Sequence, residues 1–177
     1  MERGKERKAL FCQDTEGCFQ DSVSTVLWSM PGGKFSVELP EGFEEMAEEG
    51  REENYPYADR PEIILEDVSE DAQITLQFLE KELKEAEIWD AVSQVLELTE
   101  STFPEYKVSP EYLYEGGSTP IGWFLLNMGD MEKEHVKAVL SVEDKMALFT
   151  LTYPTEKNFK WRPLFKYIFS SIKTFEE

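Results

Sequence analysis

The stretch from Ile121 to Tyr153, IGWFLLNMGDMEKEHVKAVLSVEDKMALFTLTY, decides the fold. It holds three apolar runs separated by Gly129-Asp130 and Glu143-Asp144-Lys145, short polar breaks of the kind that close hairpins. In residues 134–142, Val136, Ala138, Leu140 and Val142 fall on one side of the chain, the period of two that a strand imposes. The flanking runs, 121–128 and 146–153, are apolar on both sides. An antiparallel meander with a covering layer over each face is therefore expected.

Working toward the N-terminus, residues 106–114 read as another extended stretch closed by Glu115-Gly116-Gly117-Ser118, a hairpin turn. Ahead of it lie EIILEDV (62–68) and AQITLQFL (72–79), split by Ser69-Glu70-Asp71, with Ile74, Leu76 and Phe78 on one face of the second. Residues 24–30 (STVLWSM) and 34–39 (KFSVEL) flank Pro31-Gly32-Gly33 and read as a further hairpin.

Two segments carry helical spacing. Residues 78–102 could form one long helix, but Ile74 to Phe78 alternates too cleanly for that. A strand end, a polar connection over 80–87 and a helix from about Ile88 to Thr102 is preferred, with Val92, Val95, Leu96 and Thr99 as its apolar face. The second helix is KWRPLFKYIFSSIK, where Trp161, Leu164, Phe165, Ile168, Phe169 and Ile172 recur at helical intervals. Pro163 suits a first turn and Lys173 a last turn. This aromatic stripe reads as the core side of a packing helix. The expected fold is thus α+β: one antiparallel sheet flanked by helices on both faces, formed by residues 24–177 as a single domain behind a polar arm at 1–23.

The order of these elements resembles the α/β/α sandwich of the PsbP-like superfamily. The carrying residues are FSVELPEGF (35–43), ITLQF (74–78), GWFLLNM (122–128), LFTLTYP (148–154) and FKYIFSSI (165–172). The likeness is one of pattern, spanning about residues 24–175, and no diagnostic motif transfers a site residue. It implies non-catalytic work, because PsbP, the Ran-binding import factor and other relatives mostly bind proteins. The chain lacks a lipobox cysteine behind an apolar leader, which departs from the membrane-anchored relatives.

Composition narrows the partners. The 177 residues carry 18 basic and 37 acidic side chains, a net charge of -19. Naked nucleic acid and anionic membranes both need a cationic face, so neither is an expected partner. The excess lies in residues 38–100, which hold 21 acidic and four basic residues. Its densest part, PEGFEEMAEEGREE, reads as a solvated loop or short exposed helix, and Glu44, Glu45, Glu48 and Glu49 are the candidate residues for docking a basic partner. The N-terminal MERGKERKAL has no secretory apolar run and no stretch suits a membrane span, so a cytoplasmic location without membrane insertion is expected. Cys12 and Cys18, spaced within a polar segment, are expected to be reduced and dispensable.

Catalytic chemistry finds little support. His135, the sole histidine, falls on the strand face opposite Val136 and reads as a partly exposed residue and not a general base. Gly116-Gly117-Ser118 lacks the lysine of a phosphate loop, and the acidic run lacks the aspartate ladder of a calcium loop. No metal or cofactor is expected. Two classes remain: a cytoplasmic adaptor or chaperone-like module that binds another protein through a basic or apolar partner surface, and a small-ligand pocket protein or weakly signalled hydrolase. In the second class, Trp28, Tyr114 and Trp123 would line a cleft.

Overall fold

The structure, a computed structural model, describes residues 7–9, 23–128 and 132–175. Cys12, Cys18 and the expected turn at Gly129-Asp130 lie outside them. Two antiparallel sheets organise the rest. The small sheet is built on the hairpin of β2 (Val23–Ser29) and β3 (Phe35–Pro40), with β1 (Arg7–Ala9) beside β2. Gly32 and Gly33 turn that hairpin with positive φ values of 94° and 74°, conformations open to glycine at little steric cost.

The large sheet begins at β4 (Glu44–Glu45), an edge strand beside β5 (Ile63–Asp67). The connection between those two contains α1 (Glu48–Asn54). Beyond β5 lies β6 (Ala72–Glu82), which pairs with β11 (Lys145–Pro154), and that strand pairs with β10 (Lys133–Val142). Next comes β9 (Ile121–Asn127), against which two short strands lie, β7 (Lys107–Val108) and β8 (Tyr112–Tyr114). All described pairings are antiparallel, as the short breaks between successive strands predict.

The fork over residues 78–102 resolves as a strand end and a separate helix. β6 runs on to Glu82, three residues past the expected end, one 3₁₀ turn spans Glu85–Glu87, and α2 covers Ile88–Thr102. Ile88, Ala91, Val92 and Leu96 of α2 bury against Phe124, Leu126, Val139 and Met146. Gly122 permits this approach: a Cβ there would stand 2.7 Å from Val92.

The opposite face of the large sheet carries the main core. Here Leu76, Val136, Ala138, Phe149 and Leu151 meet the small sheet's Phe35, Val37 and Leu39 together with α3 (Asn158–Ser171). The aromatic stripe of α3 packs inward, with Trp161, Leu164, Phe165, Ile168 and Phe169 buried. Its ends differ from the sequence expectation. The helix starts at Asn158, so Pro163 lies in the second turn and not in the expected first, and its missing N–H forgoes one helical hydrogen bond. Ile172 is extended, and Lys173 belongs to β12 (Lys173–Thr174), paired with β3, because the chain leaves the helix to complete the small sheet.

Helices therefore stand on both faces, but coverage is uneven. On the α2 side, Gln73, Thr75 and Gln77 of β6, Thr150 and Thr152 of β11, and His135 and Lys137 of β10 lie beyond the helix. Trp28, Tyr114 and Trp123 pack against the main core, so the cleft expected among those aromatics is not where the open space lies.

Candidate functional site

The open space is a cleft of about 700 Å³ over the half of the sheet that α2 leaves uncovered. Its size falls in the range of ligand pockets, roughly 300–1,000 Å³. Three cross-strand rows make the floor. Val139 sits opposite Leu148, which sits opposite Gln77; Lys137, Thr150 and Thr75 form the next row; His135, Thr152 and Gln73 form the third. The floor thus changes from apolar under α2 to polar away from it. Lys133 and Met128 lie at its margin.

Two walls flank this floor. On one side, Val95 and Thr99 of α2 turn their half-buried side chains toward the cleft. On the other stand Asn54 and Tyr55, which end α1, and Pro61. That second wall is tied down at two points. The Tyr55 hydroxyl donates to Oε1 of Gln73, and Nε2 of Gln77 donates to the carbonyl of Asp59 at 2.9 Å. Burial of Tyr55 raises its phenol above the ordinary range.

The charges of the lining oppose those of the molecule. Among the described residues, the cleft is lined by Lys133, His135 and Lys137 and by no carboxylate. Lys133 is paired with Asp71 at 2.9 Å. Among the described residues, Lys137 reaches only the Thr150 hydroxyl, at 3.4 Å, and burial lowers its ammonium below the usual lysine range. His135 shares a 2.8 Å hydrogen bond between Nδ1 and Thr152 Oγ1, while its Nε2 is buried without a partner. Burial first, then Lys137 and Lys133, push its pKa down to about 4. An imidazole so weakly basic is a poor general base for the adjacent threonine near neutrality.

The acidic candidates lie ahead of the same wall in the chain, on β4 and at the start of α1. Glu44 and Glu45 are exposed on edge strand β4, a charged edge of the kind that discourages strand addition. Glu48 and Glu49 are exposed in the first turn of α1, and Glu48 pairs with Arg60. The four do not converge on one point, and none lines the cleft. They form a ridge held by the buried Met46, whose carbonyl accepts from Arg51 Nε at 2.9 Å. The expected short exposed helix is therefore present.

The floor itself was missed as a site. Its signal was available: Lys133, His135 and Lys137 repeat every second residue on one strand face, opposite the threonines of LFTLTY. Among the described residues no cluster of three metal-ligating side chains occurs, and no helix is long and apolar enough to cross a membrane.

No protein-family model matches the sequence, and no curated protein matches it. Solved structures do resemble it. The solution structure of cyanobacterial PsbP (CyanoP) from Synechocystis sp. PCC 6803 aligns at a TM-score of 0.60 and 12% identity, over 93% of this chain and 98% of that one. A crystal structure of a protein from Bacteroides thetaiotaomicron aligns at 0.54 and 12% identity, over 85% of this chain and 48% of that one. The Ran-binding protein Mog1p of Saccharomyces cerevisiae aligns at 0.46 and 12% identity, over 86% and 96%. The chain has the PsbP-like fold, an antiparallel sheet between helical layers.

Proposed function

We propose that this chain is a non-catalytic protein-binding module whose binding site is the cleft between α2 and the Asn54–Pro61 wall. The observation that carries this reading is the uncovered sheet face itself: a walled cleft of about 700 Å³ with a fixed, mostly polar floor. An extended segment of a partner fits such a groove, since main-chain groups can meet the floor's threonines and amides while an apolar side chain reaches Val139 and Leu148. The ridge of Glu44, Glu45, Glu48 and Glu49, exposed on β4 and the first turn of α1, attracts a basic partner surface over about 8 Å at physiological ionic strength. His135, depressed and hydrogen-bonded to Thr152, serves in the floor as a neutral polar group.

A photo-reactive amino acid placed at Thr99, inside the cleft, tests this in the native cytoplasm. Cross-linking to one discrete protein is expected at Thr99 and absent at Leu98, which is exposed on the outer side of α2. Replacing Glu44, Glu45, Glu48 and Glu49 by glutamine should weaken the capture and reduce its salt dependence. Cross-linking from Leu98 in preference to Thr99 would place the partner elsewhere and defeat the reading.

A further inference from the structure

Resting on that reading, we infer that the cleft recognises one oxyanion on the bound segment, a carboxylate or a phosphorylated side chain, seated at Lys137, with basic residues of the same segment facing the acidic ridge. Three independent observations meet here. Lys137 lies in the floor with the Thr150 hydroxyl 3.4 Å away, and no described carboxylate forms an ion pair with it. The neighbouring row presents a histidine whose Nε2 is buried and unpartnered, so a polar atom beside the lysine has its hydrogen-bonding capacity unspent. The described lining contains no carboxylate, although the chain as a whole carries -19.

A cation held away from water gains most when an anion completes its coordination, and such charge-assisted hydrogen bonds are the strong ones. Thr150 and Thr75, in the same cross-strand row as Lys137, offer hydroxyl donors to the same oxyanion. Lys133 contributes less, because Asp71 already neutralises it at 2.9 Å. A purely acidic peptide would be repelled by the ridge. The segment that fits has one anionic residue flanked by basic ones, and this alternation would give the cleft its selectivity.

His135 is the only histidine in the chain, so its ring resonances report the cleft floor without ambiguity. The probes are three peptides, Lys-Lys-Val-X-Val-Lys-Lys with blocked ends, in which X is Glu, phosphoserine or Gln. Saturable shifts of the His135 ring are expected with Glu or phosphoserine, and the better of the two identifies the oxyanion. The Gln peptide should bind at least about tenfold more weakly, as should the charged peptides to Lys137→Gln. Lys137→Arg should retain binding, and the near-ultraviolet spectrum of each variant reports whether it is folded. Equal affinity for the Gln peptide, or no saturable response to any of the three, would overturn the inference. Cross-linking at Thr99 that is undiminished in Lys137→Gln would also overturn it while leaving the protein-binding reading intact. Peptide shifts without cross-linking would have the reverse effect.

Discussion

His135 gives the fold a pH dependence that can be worked out in advance. In the unfolded chain its imidazole titrates near 6.5; in the folded cleft floor burial and two lysines hold it down to about 4. The unfolded state therefore binds the extra proton between those limits, and stability falls as pH falls through that window. Above pH 6.5 the imidazole is neutral in both states and costs nothing. By pH 4 the deficit reaches about 3 kcal/mol at ~1.4 kcal/mol per pH unit, and it levels off below that as the folded ring also protonates. Urea unfolding of the wild type and His135→Gln, compared across the window, isolates this effect because all carboxylates are common to both proteins. The wild type should lose about 3 kcal/mol more than the variant between pH 7 and pH 4. Parallel stability curves, or a ring pKa near 6.5 by NMR, would refute the placement of His135 in a desolvated floor.

Phe165 is buried and meets Trp123 at 4.9 Å and Phe169 at 5.4 Å between ring centroids, so Phe165→Ala should cost ~3–5 kcal/mol in chemical denaturation, whereas exposed Lys166→Ala should change little. Gly122→Ala drives a methyl to within 2.7 Å of Val92 and should destabilise by ~1–3 kcal/mol, with Val92→Ala in the same chain recovering part of that loss in a double-mutant cycle. Glu134 is almost fully buried and accepts from Arg162 at 2.9 and 3.1 Å and from the Tyr153 hydroxyl at 2.9 Å. Removing one charged donor, in Arg162→Met, should lower stability by about 2 kcal/mol in thermal or urea unfolding.

Periodicity made most of the architecture legible. Val136, Ala138, Leu140 and Val142 alternate because their strand has one face on the main core, and that alternation survives any choice of neighbours. The boundary at Ile88 was readable because the apolar face of α2 is self-contained. Helix ends were less so: Lys173 looks like a last-turn cation, yet the chain extends at Ile172 because pairing with Ser36 and Phe35 is a long-range contact. The site was the least legible part. Lys133, His135 and Lys137 share a strand face, but any solvated strand can carry that pattern. Only the assembled sheet shows that Thr150, Thr152, Gln73 and Thr75 extend the same polar surface across three strands.

Why that surface stays open follows from dimensions. A helix with its side chains is about 10 Å across and covers about two strands spaced ~4.8 Å apart. The large sheet is much wider than that, and its main-core face needs both α3 and the small sheet to cover it. On the other face α2 is the one described helix that buries side chains, and Gly122 fixes it over β9 and β10 by letting Val92 approach. The Asn54–Pro61 segment reaches over β6 from the far side, through Tyr55 on Gln73 and Asp59 on Gln77. Between them the outer part of the floor must be polar to remain unfilled, which accounts for the threonines and glutamines. It does not account for Lys137, since a threonine or glutamine there would satisfy the same exposure without desolvating a charge. A half-buried lysine among hydroxyls is a cost that an incoming oxyanion offsets, and this is the physical reason to look for the partner's anionic residue at that row of the sheet.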